Sequence, residues 1–129
     1  MTEPTLLVAD DHPLFRAAVL HVLRERLPQY RTLEAASATT LGQALQEHPE
    51  IELVLLDLSM PGTRGFSALL HVRGEYPELP VVIISSNDHP RVIRRAQQFG
   101  AQRLLSLQVI GQLFEHLAQM AALFACGND

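Results

Sequence analysis

The chain has 129 residues, of which 47% are apolar and 19% charged, with a net charge of −4. That length suits one domain burying roughly two-thirds of its unfolded surface, and the negative balance argues against a phosphate-backbone partner, whose footprint is a basic patch. A single cysteine, Cys126, excludes a disulfide framework or a cysteine metal site, and no stretch approaches the ~20 apolar residues of a membrane span, so a soluble cytoplasmic protein is expected.

The first predicted strand covers Thr5 to Asp10. Asp11-His12-Pro13 then opens a helix, with Asp as cap and Pro in the first turn, and Leu14, Phe15, Ala18, Val19, Val22 and Leu23 recur at helical spacing until Pro28. Tyr30 to Ala35 alternates in polarity, as an edge strand does. Thr40 with Gln43 predicts a capping box and a helix that stops near His48-Pro49. Leu53 to Leu56 form a buried strand ending at Asp57, beside a turn marked by Pro61 and Gly62. Phe66, Leu69, Leu70 and Val72 mark a third helix ending near Tyr76-Pro77, and Pro80 opens a strand through Val81-Val82-Ile83-Ile84. Asp88-His89-Pro90 repeats the earlier helix-start tripeptide, with Val92, Ile93, Ala96 and Phe99 at helical spacing and Gly100 as C-cap. A short strand from Arg103 to Ser106 and a last helix from about Val109 to Phe124 complete the chain. Strict alternation of strands and helices predicts an α/β doubly wound sheet with right-handed crossovers.

Three apolar runs end in oxygen-bearing side chains: Asp10 and Asp11, Asp57, and Ser85 and Ser86. In parallel sheets the ligand crevice lies beyond the carboxyl ends of the strands, so these groups are expected to meet there. Taken singly, Asp11 reads as a helix cap, Asp57 as a loop carboxylate and the serines as turn hydroxyls. Taken together, three carboxylates repel one another unless a cation joins them. A hard divalent ion with oxygen ligands, Mg²⁺ above all, is the natural partner, and it suits phosphoryl chemistry. The six histidines show no metal-ligand spacing and read as solvated or capping residues. Arg91, Arg94 and Arg95 read as a solvated face.

The DDHPLFR stretch, DLSMPG with Gly65 three residues on, the VVIISS strand and the Gly100-Ala101 pair resemble the receiver domain of two-component response regulators. The likeness is strongest to receivers of the helix-turn-helix transcription-factor branch and spans nearly the whole chain, so residues 1–129 are expected to be one receiver domain. The resemblance implies a flavodoxin-like five-stranded parallel sheet of order 2-1-3-4-5 with helices on both faces. It implies Asp57 as phospho-acceptor, a carboxylate nucleophile served by a sensor histidine kinase or a small phosphodonor. It further implies Mg²⁺ held by Asp10, Asp11, Asp57 and the backbone carbonyl of Ser59, and Ser85 as a switch hydroxyl. In receivers the region of the arginine cluster meets partners. A C-terminal DNA-binding domain in a longer parent protein and a homodimer, with Leu123 and Phe124 at its contact, are further expectations.

One family feature is missing. All ten basic residues are Arg, so the Lys that ends the fifth strand in the family is absent; its position is Leu107, and the family's aromatic position is Leu104. Arg103 is no replacement, since four strand residues span ~13 Å and the start of the strand lies away from the crevice. Losing a charge-assisted hydrogen bond of ~1.5 to 3 kcal/mol weakens the hold on phosphate by roughly 10-fold to 150-fold. Two readings follow: a phospho-accepting receiver, and a phosphorylation-independent pseudo-receiver that serves as an interaction or dimerisation module. An aspartate-nucleophile phosphatase is disfavoured because Ser59 stands where that chemistry wants an acid, and Lys is again absent.

Overall fold

The computed structural model describes residues 4–57, 66–85, 90–101 and 103–106. Strands β1 (Thr5–Ala9), β2 (Arg31–Ala35), β3 (Ile51–Asp57), β4 (Val81–Ser85) and β5 (Arg103–Ser106) alternate with helices α1 (Pro13–Arg26), α2 (Ala38–Glu47), α3 (Ser67–Glu75) and α4 (Pro90–Gln98). The strands form one five-stranded parallel sheet in the order β2-β1-β3-β4-β5, as the sequence reading expects. The expected last helix lies outside the described residues. Among the described residues, no helix is long and apolar enough to cross a membrane.

The central strands are apolar without a break because both their faces are covered. Leu7, Ala9, Val54, Leu56, Val81 and Ile83 pack under Leu41 and Leu45 of α2, Ala68, Leu69 and Val72 of α3, and Ala96 of α4. Leu6, Val8, Leu53, Leu55, Val82 and Ile84 pack against Val19, Leu20 and Leu23 of α1, with Leu27 and Tyr30. Period-two alternation thus sends adjacent residues of one strand into different cores. Helices therefore cover both faces, and β2, at the sheet's edge, keeps a partly exposed pattern as its alternating sequence requires.

β3 begins two residues before Leu53, and the register between β1 and β3 shifts at Thr5/Leu6, so that Thr5 pairs with Ile51 and Leu6 with Leu53. Glu52 is the extra residue, a bulge that lets Ile51 and Leu53 enter opposite cores despite their even spacing.

Helix starts depart from the sequence reading. The N-cap of α1 is His12, with φ −93° and ψ 103° and no side-chain cap, not Asp11. Pro13 at the first helical position confines the residue before it to extended backbone, and that residue is His12. The buried stripe of α1 is also rotated from the expected one: Leu20 joins Val19 and Leu23 in the core, while Leu14 is 88% exposed. The capping box of α2 joins Ser37 and Thr40 rather than Thr40 and Gln43. The Thr40 hydroxyl accepts from the Ser37 backbone N–H at 3.0 Å, and the Ser37 hydroxyl accepts from the Thr40 N–H at 3.2 Å. At the end of α4 the expected glycine cap is present: Gly100 has φ 96°, its N–H donates to Gln97 at 3.1 Å and the Ala101 N–H donates to Ala96 at 2.9 Å. That double bond is the Schellman arrangement, which requires a left-handed residue.

Candidate metal and phosphoryl site

The site lies at the carboxyl ends of β1 and β3. Continuing the register past Ala9, which pairs with Leu56, sets Asp10 beside Asp57. The Asp10 N–H extends the ladder towards β2 by donating to the Ala35 carbonyl at 2.9 Å. Both acids are drawn inside by the strands that carry them, Asp10 at 1% and Asp57 at 6% exposure, whereas Asp11 is only half-buried. Burying carboxylates so deeply is costly unless donors or a cation answer them.

Two groups from α1 answer in part. The His12 backbone N–H donates to Asp10 Oδ1 at 2.8 Å, and the same turn carries the ring, whose Nδ1 lies 3.2 Å from that oxygen. Nδ1 is also 3.1 Å from Asp11 Oδ1 and 3.6 Å from Asp57 Oδ2. The hydrogen bond to Asp10, then the charge of Asp11, raise the His12 pKa above the ordinary 6.5 against an opposing desolvation, with further help from the charges of Asp10 and Asp57. One turn on, Arg16 donates through Nη1 to the Asp10 carbonyl at 2.6 Å and through Nε to Glu34 at 3.0 Å, tying α1 to the ends of β1 and β2.

The answer is incomplete at Asp11. Its Oδ1 is buried and has no hydrogen-bond partner; His12 Nδ1 is near enough to attract it, but the alignment of a hydrogen bond is lacking. Ligand atoms of Asp10, Asp11, His12 and Asp57 all lie within 4.8 Å of one another. An orphaned carboxylate oxygen in a tight cluster of acids fits a divalent cation by the chemistry of its donors.

The structure therefore brings together Asp10, Asp11 and Asp57. Ser59, Ser86 and Leu107 lie outside the described residues, as does Cys126. Ser85 ends β4 one residue past Ile84, which pairs with Asp57, and it pairs in turn with Ser106 of β5. Arg103 pairs with Val82, near the opposite end of the strand, as the sequence reading expects. Arg91, Arg94 and Arg95 are exposed on α4. Sequence reasoning missed His12 and Arg16. Spacing rules for metal histidines look for a second His or Cys, whereas His12 reaches the site because it directly follows two of its acids. Arg16 carries a signal too, four residues after His12 and hence on the same side of the helix.

The profile of the response regulator receiver domain matches residues 6–118. The chain belongs to this family. It is 38% identical over 96 residues to the glycerol metabolism activator of Pseudomonas putida, covering 74% of this chain and 43% of that protein. It is 32% identical over 101 residues to the nitrate/nitrite response regulator protein NarL of Escherichia coli strain K12, covering 78% of this chain and 46% of that one. The receiver domain thus spans less than half the length of these two relatives. In fold it is similar to the signal receiver domain of a DNA-binding response regulator from Colwellia psychrerythraea 34H, with a TM-score of 0.85 at 19% identity, over 92% of this chain and 98% of that one. Receiver domains use Mg²⁺ at an acidic pocket, and the donor set of Asp10, Asp11 and Asp57 fits that ion.

Proposed function

We propose that residues 1–129 form one phospho-accepting receiver domain of a two-component system, with Asp57 as the acceptor. The observation that carries this reading is the convergence of Asp10, Asp11 and Asp57, with a buried Asp11 oxygen left unpaired. An Asp57 carboxylate oxygen attacks the phosphorus of a histidine kinase's phosphohistidine or of a small acyl phosphate. The O–P bond forms as the donor's N–P or O–P bond breaks, and the electron pair leaves with the donor. Asp10, Asp11, Asp57 and the Ser59 carbonyl would hold Mg²⁺, which would supply positive charge to offset that developing on the phosphoryl oxygens. Arg16 holds the Asp10 backbone in place, and β3 fixes Asp57 at the mouth of the crevice. Ser85 turns its hydroxyl to the phosphoryl group and passes the change to α4 and β5.

The chain works as a cytoplasmic signalling module, relaying to a DNA-binding output domain or to a second copy of itself, without turnover chemistry of its own. The likeness to the transcriptional activator protein ExaE of Pseudomonas putida, 33% identical over 101 residues that make up 47% of that protein, supports an output domain. A second reading, the phosphorylation-independent pseudo-receiver, is favoured by one observation: the chain has no Lys to pair with phosphoryl oxygens.

Exposing the purified protein to acetyl phosphate with Mg²⁺ and recording intact mass separates the two. A phosphoryl adduct in the wild type that disappears in Asp57→Asn is expected. An unmodified wild-type mass, despite bound Mg²⁺, would transfer the assignment to the pseudo-receiver.

A further inference from the structure

The cation site contains more than oxygen. His12 is held by three constraints: its backbone caps α1, Pro13 confines it to extended geometry, and its N–H is bonded to Asp10 Oδ1. With the backbone so fixed, only the two side-chain torsions place the ring, and its Nδ1 stands 3.2, 3.1 and 3.6 Å from oxygens of Asp10, Asp11 and Asp57. Donor atoms bound to one small divalent ion at about 2.0–2.1 Å are separated from their neighbours by about 2.8–3.4 Å, from the edge of an octahedron to that of a tetrahedron. Two of the three separations fall in that range and the third is slightly longer. The ring is 62% exposed on its side-chain surface, so it can withdraw towards solvent as an ion enters between it and the acids.

Imidazole nitrogen adds little to the binding of Mg²⁺, which prefers oxygen, but strengthens the binding of Mn²⁺, Co²⁺, Ni²⁺ and Zn²⁺. Resting on the reading of Asp10, Asp11 and Asp57 as a cation site, we propose that His12 is a further ligand through Nδ1, making the site one that selects a first-row transition ion over Mg²⁺. On binding, Nδ1 gives its hydrogen to solvent or to the other ring nitrogen, and the ring coordinates as neutral imidazole. The three acids and His12 together offer the mixed nitrogen and oxygen set on which such ions are commonly held.

The test titrates the ion-free chain with Co²⁺ and with Mg²⁺ by calorimetry, in wild type and His12→Gln, and records the pulsed EPR spectrum of the Mn²⁺ form. An oxygen-only site also favours Co²⁺ to some degree, so the decisive quantity is the change in selectivity on substitution. The selectivity for Co²⁺ over Mg²⁺ is expected to fall by about tenfold or more in His12→Gln. Nitrogen-14 coupling is expected in the wild-type Mn²⁺ spectrum and should vanish in the variant. Unchanged selectivity, or a wild-type spectrum without nitrogen coupling, would overturn the assignment while leaving the three-carboxylate site standing. Failure of the wild type to bind either ion would overturn both. Unfolding profiles of the two ion-free proteins show whether the variant is folded, and His12→Asn, shorter by one methylene, provides a second substitution with the same expectation.

Discussion

At the scale of single residues, His12 shows how a side chain with no sequence signature of function acquires a place in a site. It reads as one more solvated histidine until the first turn of α1 points its ring at three carboxylates. In the ion-free protein those acids raise its pKa above 6.5. A group whose pKa is higher folded than unfolded contributes stability that is complete below the unfolded value and disappears as pH rises through the folded one. Thermal unfolding in the presence of a chelator should therefore show a loss of stability as pH is raised above about 6.5, and His12→Gln should flatten that slope. An identical slope in wild type and variant would assign the pH dependence to other groups. Asp11 carries the complementary lesson. Its reading as a helix cap fails because Pro13 moves the cap to the following residue, and the freed carboxylate is left with a buried, unpartnered oxygen.

Among the elements, helix ends are where local chemistry was both most informative and most easily misplaced. Gly100 was legible because a left-handed C-cap leaves a glycine at a helical pattern's end. The structure adds that a Cβ built there would lie 2.8 Å from Arg73 Nε. Arg73 is itself engaged, donating through Nη1 to the Leu79 carbonyl at 2.8 Å, so it does not yield freely. Gly100→Ala should cost about 1–2 kcal/mol from backbone conformation alone, and more where Arg73 must let go of Leu79. Urea unfolding checks this, with Arg73→Ala as a second background: there the glycine substitution should cost only the conformational part. At α2 the cap falls on Ser37, three residues before the expected one, because Thr40 takes the position usually filled by Glu or Gln, a variant that the sequence pattern does not distinguish from a cap.

For the whole molecule, stability and site work against each other. The two cores on either face of the sheet hold β1 and β3 side by side, and by doing so press Asp10 and Asp57 together below the surface. An ion that binds the folded state alone offsets that repulsion. Mg²⁺ at a hundred times its dissociation constant should stabilise the protein by about 2.7 kcal/mol, seen as a rise in unfolding midpoint. Asp57→Asn and Asp10→Asn should each lose most of that rise, since each removes a charge from the proposed cation site; a full Mg²⁺ response in both would remove the ion from this crevice.

What the sequence determined by itself was whatever depends on neighbours along the chain. Continuous apolar runs marked the buried strands, alternation marked β2 as the edge, and Gly100 marked the end of α4. The repeated placement of oxygen-bearing residues at strand ends was enough to predict the meeting of Asp10, Asp11 and Asp57, because parallel strands bring their carboxyl ends to one side. The tertiary structure alone decided which way each helix turned its stripe, where Glu52 breaks the register of β3, and that His12 and Arg16 belong to the crevice. Those outcomes depend on contacts between elements far apart in sequence: the face of α1 is set by the sheet it packs on, and the direction of a ring at its N-terminus follows from that docking.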